Sequence, residues 1–120
     1  MERNIEKINR DIKSAGQSFL AFHLEDLISK IHKLNYRDEK NALISLYHAN
    51  QIGFFDKNIE GTRTRVNAAI RIIKANKVIY ALEVISNSKI TSKEAIRNAL
   101  KLLNKLNKGG LKLTNSIKFN

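Results

Sequence analysis

The chain has 120 residues, of which 42% are hydrophobic and 28% charged, a composition typical of one folded domain rather than a disordered tail. It has no cysteine, which excludes disulfides and thiolate metal sites, and no apolar run long enough to cross a membrane. The net charge of +11 lies entirely in residues 61–120, where 13 Lys or Arg accompany only two acids. Residues 1–60 carry 9 Lys or Arg and 9 Asp or Glu. This asymmetry creates a positive field that attracts polyanions.

Apolar residues recur every three to four positions along a chain that has no proline and only five glycines. This spacing predicts an all-α bundle of about five helices in residues 1–110, followed by a C-terminal tail at 111–120. The first helix weakens at Ser14-Ala15-Gly16, and the second continues from Leu20 to Asn35.

The third predicted helix covers residues 38–51, begins at Asp38 and is closed by Gly53. A loop follows at 51–61, and then one long helix from Thr62 to Ser86. Because the apolar positions of this helix change direction, it is either buried on several sides or bent near Asn76. Its apolar part, residues 78–85, is expected to be the central core helix.

The last helix is predicted to begin with a T-x-x-E capping box, Thr91 and Glu94, and to end at Gly109-Gly110. Five cations lie on one side of it, spanning roughly 120° of the circumference: Lys93, Arg97, Lys101, Lys105 and Lys108. Like charges four residues apart repel each other, and a bound polyanion would reverse that repulsion. The pattern predicts a nucleic-acid-binding surface, and its alternative is a solvated face.

A second basic cluster lies at the predicted start of the long helix, where Arg63 and Arg65 accompany the candidate caps Thr62 and Thr64. Free amides, hydroxyls and guanidinium groups at a helix start would form a phosphate seat. The basic character continues along the helix through Arg71, Lys74 and Lys77. The alternative is that one of the two arginines pairs with an acid just upstream, Asp56 or Glu60.

Two adjacent aromatic residues, Phe54 and Phe55, precede these arginines. Aromatic side chains beside cations can stack on unpaired bases, as in single-strand binders. The alternative is that they close one end of the hydrophobic core.

Residues for catalysis are not grouped in this sequence. The three histidines, His23, His32 and His48, do not have the spacing of a helical metal pair, and His23 lies in an apolar run typical of a core or boundary residue. No nucleophile or Gly-rich phosphate motif occurs. We therefore expect a protein that is not an enzyme and has no catalytic residue, metal or cofactor.

These patterns predict a non-catalytic accessory protein that binds a nucleic-acid backbone without sequence preference. In size, charge and helicity the chain resembles small helical subunits of CRISPR effector complexes and phage or plasmid DNA-handling proteins, although it shares no motif with them. Residues 1–60 are expected to contact a larger protein complex or a second copy, in the cytoplasm and not at a membrane.

Two alternatives remain open. One is a protein-binding module, such as an immunity protein or inhibitor, that covers an acidic surface. The other is a helix-turn-helix-like reader of duplex DNA that uses residues 91–113, for which the sequence offers no separate short helix before the last one.

Overall fold

The computed structural model describes residues 2–108, and the side chains of residues 5–108. Six α-helices follow one another in this part of the chain: α1 (Glu2–Ala15), α2 (Gln17–Ser29), α3 (Arg37–Ala49), α4 (Ile59–Lys74), α5 (Val78–Ser86) and α6 (Lys93–Asn107). A 3₁₀ turn, Lys33–Asn35, lies between α2 and α3. The all-α prediction is confirmed, with six helices instead of about five. Gly109-Gly110 and the predicted tail at 111–120 lie outside the described residues.

The predicted weak point after the first helix is confirmed, because Gly16 separates α1 from α2 with a φ of +90°. That conformation is unfavourable for any residue with a Cβ atom. A Cβ at this position would also lie 2.5 Å from Nη1 of Arg65. Glycine is therefore required here both by the backbone and by the close approach of an arginine.

The long helix predicted for Thr62 to Ser86 is two helices, and the bend foreseen near Asn76 is a complete helix end. Asn76 has a φ of +60°, its N–H donates to Ile73 O, and the next N–H, of Lys77, donates to Ile72 O. These two bonds and the left-handed residue form a Schellman motif, which satisfies the last carbonyls of α4. The chain then starts α5 in a new direction.

Several predicted helix ends differ from those of the structure by one to three residues. Helix α3 starts at Arg37 after Tyr36, so Asp38 lies in its first turn, and its C-cap is Asn50 rather than a residue next to Gly53. Helix α4 starts at Ile59, which places Thr62 inside it.

The predicted capping box on the last helix is also displaced by one residue. The N-cap of α6 is Ser92, whose hydroxyl accepts a hydrogen bond from Ala95 N. Thr91 instead accepts a hydrogen bond from the nearby Ser88 hydroxyl and donates one to Gln17 across the bundle. Because the cap is Ser92, Glu94 occupies the second helical position and not the third, where a capping-box acid belongs.

The centre of the core is shared by three helices. Helices α2, α4 and α5 each pack against four others, whereas α1 packs mainly on α4 and α6 mainly on α5 and α2. Every Leu and Ile of residues 19–34 is buried, so this segment has no apolar surplus of the kind expected for a partner contact. Within residues 2–108, none of the helices combines the length and apolar character that a membrane crossing would require.

Candidate nucleic-acid interface

Helix α6 separates its apolar and cationic residues into two faces. Ala95, Ala99, Leu102 and Leu106 are buried against the bundle, following the three-to-four spacing of one helix side. The five cations predicted from the sequence are all exposed, and they are called the α6 row from here on: Lys93, Arg97, Lys101, Lys105 and Lys108. The structure therefore brings these five residues together on one exposed surface, as the sequence predicts.

The α6 row is long enough to follow several phosphates. At about 1.5 Å per residue it extends roughly 22 Å along the helix axis. One strand of a duplex carries a phosphate about every 3.4 Å of its axis, so a strand running beside the row would present several phosphates to it.

Acidic residues neutralise little of this surface. Within residues 5–108, Lys105 is the one member of the α6 row that makes an ion pair, and its partner Glu25 on α2 lies 3.0 Å away. Both side chains are about half exposed, so the pair contributes little and is easily exchanged for another anion. Glu94 lies in the first turn of α6, where its negative charge interacts favourably with the positive end of the helix dipole.

The predicted phosphate seat at Arg63 and Arg65 has a different role in the structure. Arg65 donates two hydrogen bonds to the carboxylate of Asp56, at 2.9 and 3.2 Å, and a third to Ala15 O at 2.8 Å. Its guanidinium also lies 5.3 Å from the centroid of the Phe54 ring. Arg65 therefore ties α4 to the 50–58 loop and to the end of α1, as the alternative interpretation of this cluster anticipated.

Arg63 is also paired, although more weakly. It bonds Glu60 at 3.0 Å and Asn41 Oδ1 at 2.7 Å. The supposed caps do not cap either: Thr62 is fully buried, and the hydroxyl of Thr64 donates to Glu60 O within the helix. Because α4 begins at Ile59, none of these groups surrounds a free helix start.

The two phenylalanines differ in their environment: Phe54 fits the interpretation that it closes the core, and Phe55 fits the interpretation that it could stack on a base. Phe54 is partly buried and packs edge-on against Phe19 at 5.1 Å and near His23 at 5.8 Å, so it closes the core. Phe55 is 74% exposed and has no such role. Of the pair, only Phe55 has a face that a base could stack on.

Arg71, Lys74 and Lys77 lie away from the α6 row. Arg71 and Lys74 lie in the last turn of α4, and Lys77 is the N-cap of α5. Helix α4 packs mainly on α1 and α3, and α2 and α5 each contact both α4 and α6. The structure thus places these three cations and the α6 row on two separate surfaces. A sequence pattern cannot show this, because it depends on where α4 ends and α5 turns away.

Two partly buried polar clusters could not be predicted from the sequence, because their members come from different elements. In the first, the hydroxyl of Tyr47 donates to Asp26 Oδ2 at 2.5 Å, and Lys30 pairs with the same carboxylate. Burial and the bond to Asp26 raise the pKa of Tyr47. Burial alone would raise the pKa of Asp26, but the bonds from Tyr47 and Lys30 outweigh it and lower that pKa.

The second cluster surrounds Thr62, whose Oγ1 lies 3.2 Å from Asp56 Oδ2 and 2.9 Å from His48 Nδ1. Gln51 closes it by bonding both the N–H and the C=O of Asp56. The cluster fixes the 50–58 loop onto α4, and each group in it has a partner, as buried polar groups require. Within residues 5–108, no three His, Asp or Glu side chains are grouped so as to hold a metal ion.

Comparison of the chain with protein-family models, with curated proteins and with solved structures finds no match.

Proposed function

We propose that this protein binds the phosphate backbone of nucleic acid through the α6 row, without sequence preference and without catalysis. The observation that carries the proposal is the row itself: five exposed cations on one face of α6, of which Lys105 alone pairs with an acid, Glu25, within residues 5–108. A protein of this kind is expected to act as an accessory component of a larger nucleoprotein assembly.

Binding of this type draws its affinity from released counterions. Each phosphate contact contributes about −0.9 to the slope of log affinity against log salt concentration for duplex DNA. Five contacts from the α6 row predict a slope of about −4.5. This is about half the slope expected if all ten cations predicted from the sequence bound phosphate, because Arg63, Arg65 and the α4 end do not extend the row.

The test is fluorescence anisotropy with labelled single-stranded and duplex oligonucleotides of unrelated sequences, over a salt titration. The main variant combines Lys93→Gln, Arg97→Gln and Lys101→Gln. Its matched control combines Lys33→Gln, Arg37→Gln and Lys57→Gln, which removes the same charge from exposed residues on other elements. On duplex DNA we expect the α6 variant to make the slope less negative by about three units. The control should change the slope by less than about one unit.

No binding by the wild-type protein at low salt, or an equal effect of the two triple variants, would contradict the proposal. We would then prefer the alternative that the protein binds another protein. It is favoured by three exposed apolar side chains on and after α3, Leu46, Ile52 and Phe55. An interface of that kind depends on a few aromatic or apolar anchors, so Phe55→Ala would matter more than any single lysine.

The duplex-reading alternative is favoured by one observation, the separation of α5 from α4. Helix α5 is a short helix directly before α6, an element that the sequence did not offer. The connection between them, residues 87–92, is longer than the three or four residues of a helix-turn-helix and has no glycine. A duplex reader would bind one sequence at least ten-fold more tightly than the others in the same assay, whereas backbone binding predicts equal affinities.

A further inference from the structure

A second cationic feature, on the opposite flank of the core from the α6 row, is a pocket of about 450 Å³ between α1 and the end of α4. Its polar lining consists of four cations and one carboxylate: Lys7, Asp11, Arg71, Lys74 and Lys77. The pocket has the size of a site for a small organic molecule. Unlike the α6 row, it is concave and gathers its cations around one volume.

The single acid of the pocket is already used. Asp11 is buried, and its Oδ1 accepts a hydrogen bond from Arg71 Nε at 2.9 Å. This bond engages the Nε donor and orients the guanidinium toward α1. Within residues 5–108, the Nη atoms of Arg71 make no hydrogen bond, so the outer edge of the fork is available to a ligand. Asp11 thus positions Arg71 and does not close the pocket.

The three lysines add charge, and none of them forms an ion pair with an acid whose side chain the structure describes. Lys74 is held by one hydrogen bond to Asn35 Oδ1 at 3.0 Å, which leaves two of its donors available. Lys77 is half-buried and follows the left-handed Asn76, so the Schellman motif sets the direction in which its backbone leaves α4. Lys7 lies one helical turn before Asp11 on α1. A guanidinium oriented by Asp11, in a pocket that three lysines also line, is an arrangement suited to a compact, multiply charged anion.

We propose that this pocket binds a terminal phosphate, that is, a phosphate monoester. A monoester carries a charge between −1.5 and −2 and three acceptor oxygens, as known for phosphorylated side chains. A backbone diester carries one charge and continues in both directions, so it fits an open row better than a pocket. The ligand is either a free nucleotide or the 5′ end of a nucleic-acid strand, which share this group. The inference rests on the pocket alone and does not require the α6 row to bind nucleic acid.

The experiment is an NMR titration of the full chain with inorganic phosphate, AMP and adenosine, followed by calorimetry with AMP. We expect phosphate and AMP, but not adenosine, to shift the amide signals of residues around 7, 11 and 71–77. The double variant Lys74→Gln, Lys77→Gln keeps the Asp11–Arg71 pair and should weaken AMP at least ten-fold. The matched control Lys33→Gln, Lys57→Gln and the α6 triple variant should leave AMP binding unchanged.

The source of the phosphate is decided with short oligonucleotides that carry a 5′-phosphate or a 5′-hydroxyl. Tighter binding of the phosphorylated strand that is lost in the double variant assigns the pocket to a strand end. If AMP binds but the 5′-phosphate and 5′-hydroxyl oligonucleotides bind equally, the pocket is assigned to a free nucleotide. The proposal is overturned if millimolar AMP causes no shifts, if adenosine causes the same shifts, or if the folded double variant binds AMP as the wild type does.

Discussion

At the scale of single residues, Arg65 shows how a cation that looks available for phosphate can be committed to the fold. Its side chain is 23% exposed and that of Asp56 is 14% exposed, so water screens their pair far less than it screens Arg63 and Glu60. Three hydrogen bonds hold the Arg65 guanidinium, two to Asp56 and one to Ala15 O, which lies 50 residues away in the chain. Its charge stabilises the loop.

We expect Arg65→Gln to lower the free energy of unfolding by about 2–3 kcal/mol, because it removes the cationic partner of the largely buried Asp56 carboxylate and the donor to Ala15 O. Arg63→Gln, with a largely exposed partner, should cost at most about 1 kcal/mol. Urea denaturation followed by circular dichroism measures both. If Arg65→Gln kept full stability and instead weakened nucleic-acid binding, the phosphate seat predicted from the sequence would be correct.

His23 gives the protein a pH dependence with a defined sign. The ring is buried next to Phe19 and Tyr47, and Nε2 lies 2.9 Å from Ile52 O. Burial lowers the pKa of His23 below its ordinary value of 6.5, against smaller opposing effects of the Ile52 carbonyl and of Asp26. The unfolded chain therefore binds a proton more readily than the folded one, so stability is full above about pH 6.5 and falls as the pH decreases through the folded pKa.

We expect His23→Gln to reduce the loss of unfolding free energy between pH 7 and pH 5, because glutamine can still donate to Ile52 O and does not titrate. The measurement is a series of urea denaturations across that range. His32→Gln is the matched control, since His32 is exposed and should leave the slope as it is in the wild type. A slope equally steep in His23→Gln and the wild type would show that other groups cause the acid sensitivity.

At the scale of helices, the direction of α5 depends on the left-handed residue that ends α4. A residue other than glycine in this conformation costs about 1–2 kcal/mol, and asparagine reduces that cost because it tolerates the region well. We expect Asn76→Val to lower the free energy of unfolding by about 1–2 kcal/mol, and Asn76→Gly to be at least as stable as the wild type. Thermal denaturation distinguishes the two. Equal destabilisation by both would mean that the asparagine side chain itself is required.

The helices and the α6 row were predictable because they rest on spacings that repeat along the chain. Four cations placed four residues apart, opposite a buried set with the same rhythm, define a helix face without any knowledge of the rest of the fold. The break at Gly16 was predictable for a similar reason, since glycine interrupts a regular pattern.

Helix caps and long-range pairs were not predictable in this way. Ser92 rather than Thr91 caps α6, because the Thr91 hydroxyl donates a hydrogen bond to Gln17, 74 residues away in the chain. The start of α4 at Ile59 places Thr62 in a buried cluster with His48 and Asp56, and no local pattern marks that cluster. The pocket between α1 and α4 joins Asp11 to Arg71 across 60 residues. The sequence identified these cations but not the two surfaces into which they separate.

At the scale of the whole molecule, a net charge of +11 with all of its excess in one half is a source of self-repulsion. The α6 row contributes to it, since its members repel each other at successive turns and meet one acid, Glu25. If the α6 row binds an anion, repulsion between its cations destabilises the free protein, and the bound anion removes that destabilisation. Stability and binding should then respond to the same substitutions with opposite signs.

We therefore expect the triple variant Lys93→Gln, Arg97→Gln, Lys101→Gln to be more stable than the wild type at low salt. It removes three like-charge pairs at i,i+4, each worth a few tenths of a kcal/mol, so the gain is about 0.5–1 kcal/mol. The gain should disappear at about 0.5 M salt, where the Debye length is only a few ångströms.

In the presence of a duplex oligonucleotide the wild type should become the more stable of the two proteins. A ligand at 100 times its dissociation constant stabilises the wild type by about 2.7 kcal/mol and the variant by much less. Thermal denaturation with and without the oligonucleotide measures both effects, and the variant of Lys33, Arg37 and Lys57 should show neither. A triple variant less stable than the wild type at low salt would mean that these side chains stabilise the fold by contacts of their own, and the α6 row would then be a structural surface.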